Sequence, residues 1–91
     1  MYIPENVKTL IDTLILQARS QWNQPPLDRA FIHVKFYLTD YKGDLDNKYT
    51  ELQDALVKAG CLINDTPKHV TGFHVEHELA DEERTEVRLL W

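Results

Sequence analysis

The sequence predicts a small α+β domain, a mixed β-sheet with two helices packed against it in the order α-β-α-β-β. Three observations carry this. Apolar residues recur at helical spacing from Val7 to Trp22 and again from Tyr49 to Ala59. They alternate with polar ones from Ala30 to Leu38 and from Thr85 to Trp91. Pro25-Pro26, Gly43, Gly60 and Pro67 punctuate these segments at the points where the period changes. At 91 residues the chain makes one domain, residues 1–91, with a modest core.

The first helix is expected over residues 4–22. Pro4 suits a first helical turn, Glu5 complements the positive end of the dipole, and Val7, Leu10, Ile11, Leu14, Ile15, Ala18 and Trp22 make the buried stripe. Asn23-Gln24-Pro25-Pro26 stops it. The strand over Ala30–Leu38 points Ile32, Val34, Phe36 and Leu38 one way and Phe31, His33, Lys35 and Tyr37 the other. Asp40-Tyr41-Lys42-Gly43 turns the chain into a second helix that begins at Asp46 or Asn47, both good N-cap residues. Tyr49, Leu52, Leu56 and Ala59 form its buried stripe, and Gly60 ends it. Beyond Asn64-Asp65-Thr66-Pro67 two strands follow, near Lys68–His77 and over Thr85–Trp91, with Ala80–Arg84 expected as an acidic hairpin loop between them.

Composition bounds the function. No apolar run approaches the roughly 20 residues that span a bilayer, and Met1-Tyr2-Ile3-Pro4-Glu5 lacks the basic and apolar regions of a signal peptide, so no membrane and a cytoplasmic location are expected. The net charge of −5 is unevenly placed. Residues 1–50 carry six acids and six bases, whereas residues 51–91 carry nine acids and four bases. A nucleic-acid-binding face would have to come from the first half. Asp44-Leu45-Asp46 imitates the start of a calcium loop, but Lys48, Tyr49 and Ala55 occupy the EF-hand positions that need an oxygen ligand, glycine and glutamate. His74 and His77, three apart on a strand, fall on opposite faces, and His33 and His69 read as structural or solvated. Cys61 is the only cysteine and Ser20 the only serine, and neither has an obvious base.

The chemistry-bearing segment is Asp44-Leu45-Asp46-Asn47, followed by Asp54-Ala55-Leu56, Ala59-Gly60 and Asn64-Asp65. It sets three carboxylates, Asp44, Asp46 and Asp65, at fixed offsets around one short helix. Like charges gathered together raise one another's pKa values, so such a cluster calls for a cation. Oxygen-only ligands favour Mg2+ or Mn2+.

This spacing resembles the RusA-type Holliday junction resolvases. In that family an Asp-x-Asp-Asn run opens a helix that reads Asp-Ala-Leu and ends at glycine, and a pair of acids follows. The similarity runs without a gap from Asp44 to Asp65, Asp65 lying nineteen residues beyond Asp46. The resemblance implies a homodimeric, Mg2+-dependent endonuclease that cuts branched DNA in recombination and repair. It makes Asp44, Asp46 and Asp65 the metal ligands and catalytic acids, with Asn47, Lys48 and Asn64 in support. Lys35, Lys42 and Lys48 are the cations available for DNA.

Three features depart from that pattern. Thr50 stands where the family has a lysine on the first turn of the helix. Lys48, two residues earlier, lies about 200° around the helix from that position. Asn64 replaces the first acid of the pair, and the additional N-terminal strand and basic loop of the family are not expected here. Two other readings use the same residues. One is a catalytically impaired RusA-like relative serving as a dimeric binding or interaction module. The other is an acidic DNA mimic built on the Asp81-Glu82-Glu83 loop.

Overall fold

The computed structural model describes residues 2–4 and 11–91, with side chains described from Ile15 onward. Its elements are β1 (Tyr2–Pro4), α1 (Ile11–Gln21), β2 (Ala30–Leu38), α2 (Leu45–Lys58), β3 (Val70–Leu79) and β4 (Arg84–Leu90). The domain is α+β, with two helices among the described residues on a mixed sheet of order β1-β4-β2-β3. No helix among the described residues is long and apolar enough to cross a membrane.

Two expectations are corrected. Pro4 does not open a helix but ends strand β1, which pairs antiparallel with β4 through Tyr2 opposite Glu86. A proline is tolerated there because β1 is an edge strand. Residues 5–10 of the expected helix lie outside the described residues. Second, Ala80–Arg84 is not a hairpin loop, because β3 and β4 flank β2 instead of pairing with each other. The connection crosses the end of β2, and the amide of Ala80 donates to the carbonyl of Leu38 at 2.8 Å.

The central strand β2 sets the core. Ala30, Ile32, Val34, Phe36 and Leu38 are buried on the face that the helices cover. Val87 and Leu89 of β4 extend this surface, and Ala18 of α1 with Tyr49, Leu52, Ala55 and Leu56 of α2 close over it. Helix α2 ends at Ala59, and Gly60 follows with φ +85°, a left-handed turn that costs glycine nothing. The Arg19 guanidinium donates to the Lys58 carbonyl at 3.1 Å, placing a cation at the negative end of α2. Among the large aromatics, Tyr37 is buried and Trp22 half-buried, while Tyr41 and Trp91 are exposed.

Strand β3 runs parallel to β2 after the α2 crossover, and its register shifts once. Ala30 faces Val70, but Phe31 faces Gly72, so Thr71 is an extra residue in the ladder. Gly72 lies close under the Phe31 ring. A Cβ there would meet the Phe31 ring at 3.0 and 3.1 Å. From that point His33 faces His74 and Lys35 faces Glu76 on the sheet's open side, which no helix covers among the described residues.

Candidate functional site

The acidic motif lies where β2 gives way to α2. Asp44 is the N-cap residue of α2, with extended backbone, and its Oδ1 accepts from the Asp46 amide at 2.9 Å. The helix therefore starts earlier than Asp46 or Asn47. Both of those residues are in its first turn and exposed, where the Asp46 charge complements the helix dipole. The Thr50 hydroxyl donates to the Asp46 carbonyl at 2.8 Å, one turn back along α2.

A pocket of about 170 Å³ opens beside this cap, lined by Tyr41, Lys42, Gly43, Leu45 and Lys48 together with His77 of β3. Gly43 and Leu45, the two chain neighbours of Asp44, line it, so two lysines and an imidazole gather beside the segment that carries the acids. Tyr41 stands over His77 edge to face, with ring centroids 6.2 Å apart. Lys35 does not join them. It is on the open side of the sheet, bonded to Glu78 at 3.4 Å, which holds its ammonium above its ordinary pKa.

Asp65 is also elsewhere. The Ile63 amide donates to the Leu27 carbonyl at 3.0 Å, and the Ala30 amide donates to the His69 carbonyl at 2.8 Å. These bonds pin the Asn64–Asp65 turn to the start of β2, whereas Asp44 follows its end. The nine residues between are one strand, roughly 26 Å of chain. Within the turn, Asn64 Oδ1 accepts from the Asp65 amide at 2.7 Å.

These placements bear on the expected ion. Asp44 and Asp46 are hard oxygen donors two positions apart in sequence, and Asp44 keeps its second carboxylate oxygen outside the cap bond. Mg2+ is commonly held by only one or two carboxylates, with waters and substrate phosphate completing its octahedron. Asp44 and Asp46 match that number without Asp65.

The open side of the sheet holds a second cluster, which sequence reasoning passed over. Nε2 of His33 lies 3.2 Å and Nε2 of His74 2.9 Å from the same Oε1 of Glu76, and the two imidazole rings meet edge to face at 5.1 Å. These hydrogen bonds, that from His33 foremost, hold the Glu76 carboxyl below the usual carboxylate range. Among the described residues this trio gathers its ligand atoms within 4.8 Å of one another, and Asp44, Asp46 and Asp65 do not form such a group. His33 and His74 are 41 positions apart, and only the parallel register joins them. No protein-family model, no curated protein and no solved structure matches the chain.

Proposed function

We propose that this chain is a RusA-like, Mg2+- or Mn2+-dependent endonuclease acting on branched DNA in recombination and repair, with its site at the N-terminal end of α2. One observation carries the reading. Lys42, Lys48 and His77 line a pocket beside the start of α2, and Asp44 and Asp46 are the N-cap and a first-turn residue of that helix, so acids and cations lie on one short segment. In this reading Asp44 and Asp46 hold the ion. When bound, it lowers the pKa of water and offsets charge on the phosphate. Lys42 and Lys48 bind and orient the phosphate backbone, and the exposed ring of Tyr41 offers a surface on which an unpaired base stacks. Asn47 supports the first turn that carries Asp46. A two-fold dimer would bring two such sites to two strands of a junction.

The remoteness of Asp65 and the Thr50 hydroxyl bonded to Asp46 favour a second reading, the impaired relative that binds branched DNA as a dimeric module without cutting it. Cleavage of four-way junction, flap and linear duplex DNA, with Mg2+ or Mn2+, separates the two. Metal-dependent cutting of branched DNA that Asp46→Asn loses is expected. Binding without cutting by the wild type, with cutting restored in Thr50→Lys, would establish the second reading. Wild-type protein that neither binds nor cuts would overturn both.

A further inference from the structure

We infer that His33, His74 and Glu76 form a transition-metal site of the zinc class on the open side of the sheet. It is independent of the acidic pair at the start of α2. The site is assembled from the backbone outward. His33 and His74 are direct partners in the parallel β2–β3 ladder, and Glu76 is the next residue of β3 on the same face. Strand backbone on both sides fixes where the three side chains begin, which makes a more rigid platform than a loop.

The spacing suits a small tetrahedral ion. In a zinc site with bonds of about 2.05 Å, neighbouring ligand atoms stand about 3.3 Å apart. The two Nε2 atoms lie 3.2 and 2.9 Å from Glu76 Oε1, so a small outward movement admits an ion in place of the two hydrogen bonds. All three side chains are partly open to solvent, at 33%, 57% and 44% for His33, His74 and Glu76, which leaves them free to make that movement.

The donor set selects the metal. Two imidazole nitrogens and one carboxylate suit Zn2+, Co2+, Ni2+ or Cu2+, whereas Mg2+ and Ca2+ take oxygen ligands. Three protein ligands leave a fourth position for water. A shallow cavity of about 180 Å³, to which Glu86 and Arg88 also contribute, adjoins His33 and Glu76 and has room for it. Two cations neighbour the ligands, Lys35 opposite Glu76 and Arg88 opposite His33; Glu78 engages the first, and Glu86 stands on the same face as the second.

Metal-free protein titrated with Zn2+, Co2+ and Mg2+ tests the site. Zn2+ is expected to raise Tm by more than about 5 °C. Co2+ should produce the strong visible absorption of tetrahedral coordination, without the near-ultraviolet thiolate band that ligation by Cys61 would add. His74→Ala and Glu76→Ala should each abolish both signals. Both residues are on the surface, so the Tm of the metal-free variants stays near that of the wild type. Asp46→Asn should keep the zinc response. The absence of both signals in the wild type would overturn the assignment, as would signals that survive His74→Ala and Glu76→Ala.

Discussion

Phe73 of β3 stacks on Tyr49 of α2, with ring centroids 4.4 Å apart and planes inclined by 25°. The pair fastens an edge strand to the helix that leads into it. The Tyr49 hydroxyl donates to Gln53 Oε1 at 2.6 Å, one turn along α2, so the lower ring is held in place. Aromatic pairs contribute about 0.5–1.5 kcal/mol beyond their buried area. Phe73→Ala should therefore cost about 1–2 kcal/mol in urea unfolding, although Phe73 is 57% exposed. A cost under about 0.5 kcal/mol would mean that the stack contributes nothing.

The cap and the candidate ligand can be told apart by stability alone. Asp44→Ala removes the acceptor of the Asp46 amide, and loss of an N-cap costs about 1 kcal/mol. Asp46→Asn removes only a charge near the helix dipole, a change of about 0.3–1 kcal/mol that salt screens. Thermal melts without metal, at low and high salt, should show most of the Asp44 loss persisting, because the cap hydrogen bond is lost at either salt, and the Asp46 loss shrinking.

Alkaline pH should loosen the fold from its centre. Burial pushes the Cys61 thiol up to about 11 from its ordinary 9.0. Between those values the unfolded chain releases a proton that the folded chain keeps. The stability present below pH 9 is accordingly lost as pH rises toward 11, at no more than about 1.4 kcal/mol per pH unit. Tyr49, pushed by burial from 10.0 up to about 12, adds its own loss only above pH 10. Urea midpoints of Cys61→Ala should thus be flat from pH 9 to 10, where those of the wild type fall.

If the pocket beside α2 grips phosphate, its lysines should show it in salt dependence. Lys42→Ala and Lys48→Ala are each expected to weaken junction binding and to lower the slope of log K against log salt by about 0.9. Lys35→Ala, whose side chain is across the sheet and bonded to Glu78, should leave that slope unchanged.

Much of this fold was legible in the sequence because β2 and β4 obey a period of two and α2 a period of 3.6, each dictated by one buried face. Three misreadings arose where local chemistry had competitors. Asp44, Asp46 and Asn47 are all capping residues, and the packing of Leu45 against the core decides in favour of Asp44. Pro4 is as acceptable at an edge strand as in a first helical turn, and pairing with Arg84 decides for the strand. A four-residue link, 80–83, suggests a hairpin unless β2 is known to need neighbours on both sides. The acidic pair and its lysines were visible as a local motif. The His33–His74–Glu76 cluster was not, because no local spacing encodes the register of a parallel ladder.

The extra residue near the start of β3 explains why that strand reads so poorly. Val70 and Val75 both pack on the core though they are five positions apart, an odd offset that strict alternation forbids. Thr71 is surplus length that reconciles them. A chain lacking it would keep Ala30 opposite Val70 and Phe31 opposite Gly72, and everything downstream would stay in place. Removal of Phe73 would instead turn His74 toward the helices and carry Glu76 with it. Among homologues, the tolerated gap in this strand belongs at Thr71, and a gap between Gly72 and Glu76 would mark a lineage that has given up the histidine pair.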